Sequence, residues 1–157
     1  MKMQQKKIND IINFINLSDR ISTAGQPLAD EIELFPENGF EVVIFLALFE
    51  NSDLPQEKEI IENMGLIFEH IPVVFKNPQI SEFANFIELL KKHKDKKIFI
   101  HCQMNMRVSV FMSLYFMVIE NLPYKDAMVL IHKVWEPDEI WEKFMKDVMT
   151  EYNISED

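Results

Sequence analysis

The chain has 157 residues, 48% of them hydrophobic and 27% charged, with 16 basic side chains against 26 acidic ones and a net charge of −10. That length suits one domain over residues 1–157 with its own core, and the acidic balance argues against general binding of nucleic acid or an anionic membrane. A single cysteine excludes any intrachain disulfide and any all-cysteine zinc site.

The N-terminus carries Lys2, Lys6 and Lys7, but Asn9, Asp10, Asn13 and Asn16 make the adjoining stretch too polar for a signal-peptide core. No apolar run reaches the roughly 18 residues that a spanning helix needs, so the expectation is a soluble cytoplasmic protein. Further on, Gly39 and Gly65 read as helix C-caps that each lead into a strand. The first strand, residues 42–48, is uniformly apolar, as expected of a central strand covered on both faces. Asp53-Leu54-Pro55-Gln56 has the spacing of a helix start with a capping box. The strand after Gly65 runs through His70 to Val73. A helix beginning at Ser81 places Phe83, Phe86, Ile87, Leu89 and Leu90 on one face and ends in lysines that offset its dipole.

The next strand, Lys97 to Ile100, ends at His101-Cys102. A helix from Met106 to Glu120 comes after it, apolar nearly all round and therefore buried. Two more helices, over residues 123–135 and 138–152, close the chain, with Trp135, Trp141 and Phe144 as their packing residues. Alternating strands and helices predict an α/β fold: a mostly parallel central sheet of about four or five strands, flanked by helices on both faces.

The chemistry concentrates where the strand delivers Cys102 to its carboxyl end, before a short loop and a buried helix. In open α/β sheets ligands bind at that edge. A helix N-terminus there offers unpaired N–H groups and a positive dipole end, which hold anions and favour a thiolate. Arg107 adds a planar fork able to grip two oxygens of a tetrahedral oxyanion. Thiolate, anion cradle and arginine together suit covalent phosphoryl transfer.

The stretch His101-Cys102-Gln103-Met104-Asn105-Met106-Arg107-Val108-Ser109 resembles the phosphate loop of the tyrosine and dual-specificity phosphatases. It is closer to a nonclassical bacterial branch of that fold, the family named for beta-lactamase-hydrolase-like proteins. Ser22-Thr23-Ala24-Gly25-Gln26-Pro27, Gly39 through Leu46 and Gly65 through Val73 extend the resemblance over about residues 20–120. The resemblance implies a cysteine phosphatase-like fold and a metal-independent phosphatase. Cys102 would be its nucleophile and Arg107 the binder of phosphoryl oxygens. The residues Gln103, Met104, Asn105 and Met106 would supply backbone donors, with His101 and Ser109 in support.

Three departures stand out. Four residues separate Cys102 from Arg107, one fewer than in the familiar phosphatases, so that Val108 falls at their arginine when Ser109 is matched to their hydroxyl residue. The loop has no glycine, and Asn105 is the residue expected to take left-handed backbone angles in its place. The loop after the His70–Val73 strand, where dual-specificity enzymes carry an aspartate general acid, reads Val74-Phe75-Lys76-Asn77-Pro78. Substitute acids are Glu50 and Asp53 after the first strand, or Asp138 after Trp135. Both Asp53 and Asp138 also read as helix caps.

His70, His93 and His132 have no metal-ligand spacing, and no metal or cofactor is expected. The expected partner is a phosphorylated protein or small molecule, or a phosphate or sulfate anion. Two other readings stay open: a rhodanese-like sulfurtransferase, which also carries a cysteine in a strand-to-helix loop, and a phosphoanion-binding domain with little catalysis.

Overall fold

A computed structural model of the chain describes residues 5–157, so Lys2 of the N-terminal basic run lies outside the described residues. Five strands form one sheet: β1 (Ile15–Asn16), β2 (Ile21–Ala24), β3 (Val42–Phe45), β4 (Ile67–His70) and β5 (Ile98–His101), in the order β1-β2-β5-β3-β4. β2, β5, β3 and β4 are parallel, and β1 pairs antiparallel with β2. The helices are α1 (Ala29–Ile32), α2 (Glu57–Asn63), α3 (Ile80–Lys92), α4 (Met106–Glu120), α5 (Tyr124–His132) and α6 (Glu139–Glu151). Among the described residues no helix is long and apolar enough to cross a membrane.

The central strands are covered on both faces, as their composition requires. Every residue of β3 is fully buried, as are Ile98, Phe99 and Ile100 of β5. Phe99 lies against the rings of Phe14, Phe35 and Phe40. By strand alternation Ile98 and Ile100 turn to the opposite face. α4 packs against α3, α5 and α6, and its Phe111 meets Phe83, Phe86, Trp141 and Phe144.

β3 is shorter than its apolar run. Pairing as a strand stops at Phe45, yet Leu46 and Ala47 remain fully buried. Leu46 still donates to the carbonyl of His101 at 2.9 Å, and the Ala47 carbonyl meets His70 Nε2 at 2.6 Å. The run reports burial, which outlasts the ladder.

The two glycine caps form as expected, with φ of 82° at Gly39 and 83° at Gly65. Each carries the paired backbone bonds of a Schellman ending, Phe40 to Phe35 and Gly39 to Pro36, then Leu66 to Ile61 and Gly65 to Glu62. Gly39 closes only a single 3-10 turn, Pro36–Asn38.

The capping box expected at Asp53–Gln56 does not form. α2 starts at Glu57, and the hydroxyl of Ser52 accepts the Leu54 N–H at 3.0 Å. Pro55 has no N–H to offer a cap, and Asp53 is exposed. α3 begins one residue ahead of Ser81, with Glu82 accepting the Gln79 N–H at 2.8 Å. α4 runs over the span expected for it, Met106–Glu120. The parallel order brings the chain segments after β3, β4 and β5 to one edge of the sheet, with central β5 supplying the cysteine.

Candidate active site

Cys102 directly follows β5 and is 1% exposed. The loop beyond it turns without glycine because Asn105 takes φ 68°, the left-handed conformation expected of it. Its side chain is held in two directions: Nδ2 donates to the Asn13 carbonyl at 2.9 Å and to Thr23 Oγ1 at 3.2 Å. Asn13, also left-handed at φ 52°, returns its own amide to the Met104 carbonyl at 2.9 Å. The two asparagine amides thus clasp the Asn13 segment to the cysteine loop at Met104 and Asn105.

Gly25 closes the same joint. A Cβ there would sit 2.5 Å from the Gln103 carbonyl oxygen and 3.1 Å from Met104 Cα, so only glycine permits this approach. Gln26 N–H then donates to the Gln103 carbonyl at 2.9 Å. The Gly-Gln-Pro segment is therefore the wall against which the cysteine loop is set.

Replacing Asn105 tests the turn. Alanine pays about 1–2 kcal/mol for the left-handed angle and loses both amide bonds, roughly 1 kcal/mol each. Glycine loses the bonds but not the angle. We expect Asn105→Ala to be less stable than Asn105→Gly by about 1 kcal/mol in urea unfolding. Equal stability of the two would remove backbone angle as the reason for asparagine.

Arg107 lies in the first turn of α4 and is buried. Nη1 donates to the Val73 carbonyl at 2.9 Å, Nη2 to Gln103 Oε1 at 3.2 Å, and the guanidinium sits over Phe75 at 5.5 Å. Gln103 in turn donates from Nε2 to the Asn51 carbonyl at 2.7 Å. Arg107 Nε is buried with no partner. With Nη1 anchored to the backbone, Nε and Nη2 form the remaining edge of the fork. An unpaired buried donor costs roughly 1–3 kcal/mol. A cavity of about 200 Å³ is lined by Phe75, Cys102, Gln103, Met104, Met106 and Arg107. The expected pocket residues therefore come together, Met104 and Met106 included, while the Asn105 side chain is turned to Asn13 and Thr23.

Ser109 and the acid candidates sit elsewhere. Ser109 Oγ donates to the Met106 carbonyl at 2.8 Å and accepts from Trp135 Nε1 at 3.2 Å, a link within the helical packing. Asp138 caps α6, accepting the Trp141 N–H at 2.9 Å. Glu50 is exposed in the 3-10 turn Phe49–Asn51. None of these lines the cysteine cavity, whose lining has no carboxylate. Asp53 lines a larger groove, about 570 Å³, that shares Gln103 and Met104 with that cavity. Asp10, Glu31 and the apolar Ile12, Pro27, Leu28 and Leu54 complete much of this groove.

His101 is fully buried directly behind the cysteine. Its Nδ1 lies 3.0 Å from the Cys102 carbonyl, and its Nε2 lies 2.6 Å from Oε2 of the equally buried Glu57. Sequence reasoning missed Glu57, which is one acidic residue among 26 in a helix start rich in them. Val73 and Phe75 were missed as arginine anchors because a carbonyl and an apolar ring carry no motif. Trp141 is fully buried, as a packing residue should be, and its Nε1 also donates to the Phe75 carbonyl at 2.8 Å, bracing the cavity wall. Among the described residues no cluster of three His, Cys, Asp or Glu side chains is arranged to hold a metal ion.

No family model and no curated protein matches the chain. Solved structures do. A candidate phosphatase of the DUF442 group from Shewanella putrefaciens CN-32 superposes with a TM-score of 0.82 at 23% identity, covering 92% of this chain and 96% of that one. PTPMT1 in complex with PI(5)P has a TM-score of 0.75 at 13% identity, covering 89% and 96%. TpbA from P. aeruginosa in complex with pTyr has a TM-score of 0.66 at 14% identity, covering 94% and 85%. The chain has the fold of these tyrosine and dual-specificity phosphatase-like proteins, the resemblance that its cysteine loop carried.

Proposed function

We propose that the chain is a metal-independent phosphomonoester hydrolase, tyrosine or dual-specificity phosphatase-like, acting through a cysteinyl-phosphate. One observation carries this reading: Arg107 and the only cysteine line one cavity, and the Nε–Nη2 edge of that buried guanidinium has an unpartnered Nε beside an Nη2 held by Gln103 Oε1. A tetrahedral oxyanion supplies two acceptors with the spacing of that edge, one of them taking the place of Gln103 Oε1 on Nη2. The first-turn N–H groups of α4 add donors from the backbone.

In the first step the Cys102 thiolate attacks phosphorus. An S–P bond forms as the ester P–O bond breaks, and the leaving oxygen takes up a proton. In the second step water attacks phosphorus, the S–P bond breaks, and inorganic phosphate leaves with the thiolate restored. Arg107 and the helix N-terminus hold the equatorial oxygens through both transfers, where charge is greatest.

With no carboxylate lining the cavity, esters with good leaving groups are favoured, since general acid assistance is worth about 10²- to 10⁴-fold for poor ones. Asp53 is the acid candidate that lines the adjoining groove together with the loop residues Gln103 and Met104. The complexes of similar folds with pTyr and with PI(5)P support a phosphorylated protein or small molecule as substrate.

The test pairs two assays on the intact chain. We expect turnover of an aryl phosphate, competitively inhibited by vanadate, with alkyl phosphates slower. Thiocyanate release from thiosulfate and cyanide in its place identifies a sulfurtransferase. Phosphate binding with neither turnover identifies an anion-binding domain.

A further inference from the structure

We propose that Glu57, 44 residues upstream of His101, is a positioning residue that sets the reactivity of Cys102 through the His101 imidazole. Both side chains are 0% exposed and meet at 2.6 Å. The other ring nitrogen faces the Cys102 carbonyl at 3.0 Å. A carbonyl only accepts, so Nδ1 carries a hydrogen. Nε2 therefore either donates to a Glu57 carboxylate from an imidazolium or accepts from a Glu57 carboxyl.

The other partners of Glu57 accommodate the first arrangement. Its second oxygen, Oε1, accepts from Gln26 Nε2 at 2.7 Å. Gln26 Nε2 also meets the Pro27 carbonyl at 3.1 Å, and its Oε1 accepts from Ser52 Oγ at 3.4 Å, which fixes the amide with its donor toward Glu57. A Glu57 carboxylate would accept at both oxygens, from Gln26 at one and from His101 at the other. With Glu57 ionised, His101 is an imidazolium hydrogen-bonded to the cysteine's own carbonyl.

Other charged groups do not duplicate this role. Arg107, on α4, shares the cysteine cavity and acts from its open side. His101 is otherwise faced by the rings of Phe45 and Phe99. His70 lies beyond Phe45, with Nε2 at the Ala47 carbonyl. Asp10, Glu31 and Asp53 line the neighbouring groove.

The inference rests on Cys102 being the reacting thiol, and its test reads that thiol without any phosphatase turnover. Because the chain has one cysteine, thiolate ultraviolet absorbance and iodoacetamide alkylation both report Cys102 alone. Glu57→Gln keeps a hydrogen-bonding group of the same shape but removes the charge. We expect the thiol titration midpoint to rise by about one pH unit, and alkylation below both midpoints to slow about tenfold. In a His101→Asn background the same replacement is expected to add no further shift. Gln26→Leu leaves the Glu57–His101 contact in place and removes the donor on the other Glu57 oxygen, so a smaller rise in the same direction is expected. It decides the matter should Glu57→Gln not fold. An unchanged midpoint in the folded variants overturns the proposal, as does a Glu57→Gln shift that persists in full without His101. Normal thiol shifts with no aryl-phosphate turnover would leave this inference standing and remove the phosphatase reading.

Discussion

Cys102→Ser is expected to abolish aryl-phosphate turnover, lowering kcat by about 10⁴-fold or more, in line with the loss of a nucleophile elsewhere. The side chain is almost fully buried, lines the cavity with Arg107, and sits where the field of α4 favours an anion. Serine occupies nearly the same volume, so the cavity, the fork and the asparagine clasp are expected to persist. Its hydroxyl stays protonated where the thiol ionises. The anion cradle should therefore outlive the chemistry. Phosphate is expected to raise the Tm of the serine variant much as it raises that of the parent, by the linkage that any ligand of the folded state shows. Kinetics and thermal shift together separate the two functions of the loop. Retained turnover would mean a different nucleophile, and lost phosphate protection would mean that the thiolate itself organises the cradle.

What could be read from the residues alone divides along a physical line. Features carried by contiguous side chains were legible: β5 followed by α4, the buried character of that helix, and the left-handed role of Asn105 in a loop that lacks glycine. Features made between distant segments were not. β1 and β2 are two and four residues long, too short for any periodicity, and β2 becomes a strand by pairing with β5 across the fold. Glu57 and His101 meet because α2 and the end of β5 are brought together by the sheet, and an acidic residue opening a helix has no mark of such a destination. The Asp53 cap failed for a local reason, since Ser52 takes the donor and Pro55 removes another. That failure leaves Asp53 on the groove beside the cysteine cavity instead of inside a helix cap.

Arg107→Lys is the sharper test of the phosphoryl site. One guanidinium here does three things at once: Nη1 is tied to the Val73 carbonyl, the group lies over Phe75, and the Nε–Nη2 edge keeps an unpartnered Nε beside an Nη2 held only by the Gln103 amide oxygen. A lysine ammonium is a single point charge. If it bonds the Val73 carbonyl it is drawn away from the anion, and if it meets the anion it leaves that buried carbonyl without its donor. Losing one preorganised donor to a developing oxyanion costs about 10²- to 10³-fold in rate. The fork presents two donors, so kcat/KM for an aryl phosphate is expected to fall by about 10³-fold. Part of the loss should appear as weaker phosphate protection in thermal unfolding, because the same edge grips ground-state and transition-state oxygens. Cys102→Ser removes turnover and spares binding; Arg107→Lys should impair both. An Arg107→Lys protein with parental kcat/KM would show that charge alone suffices, and that the unpartnered Nε is not a phosphoryl contact.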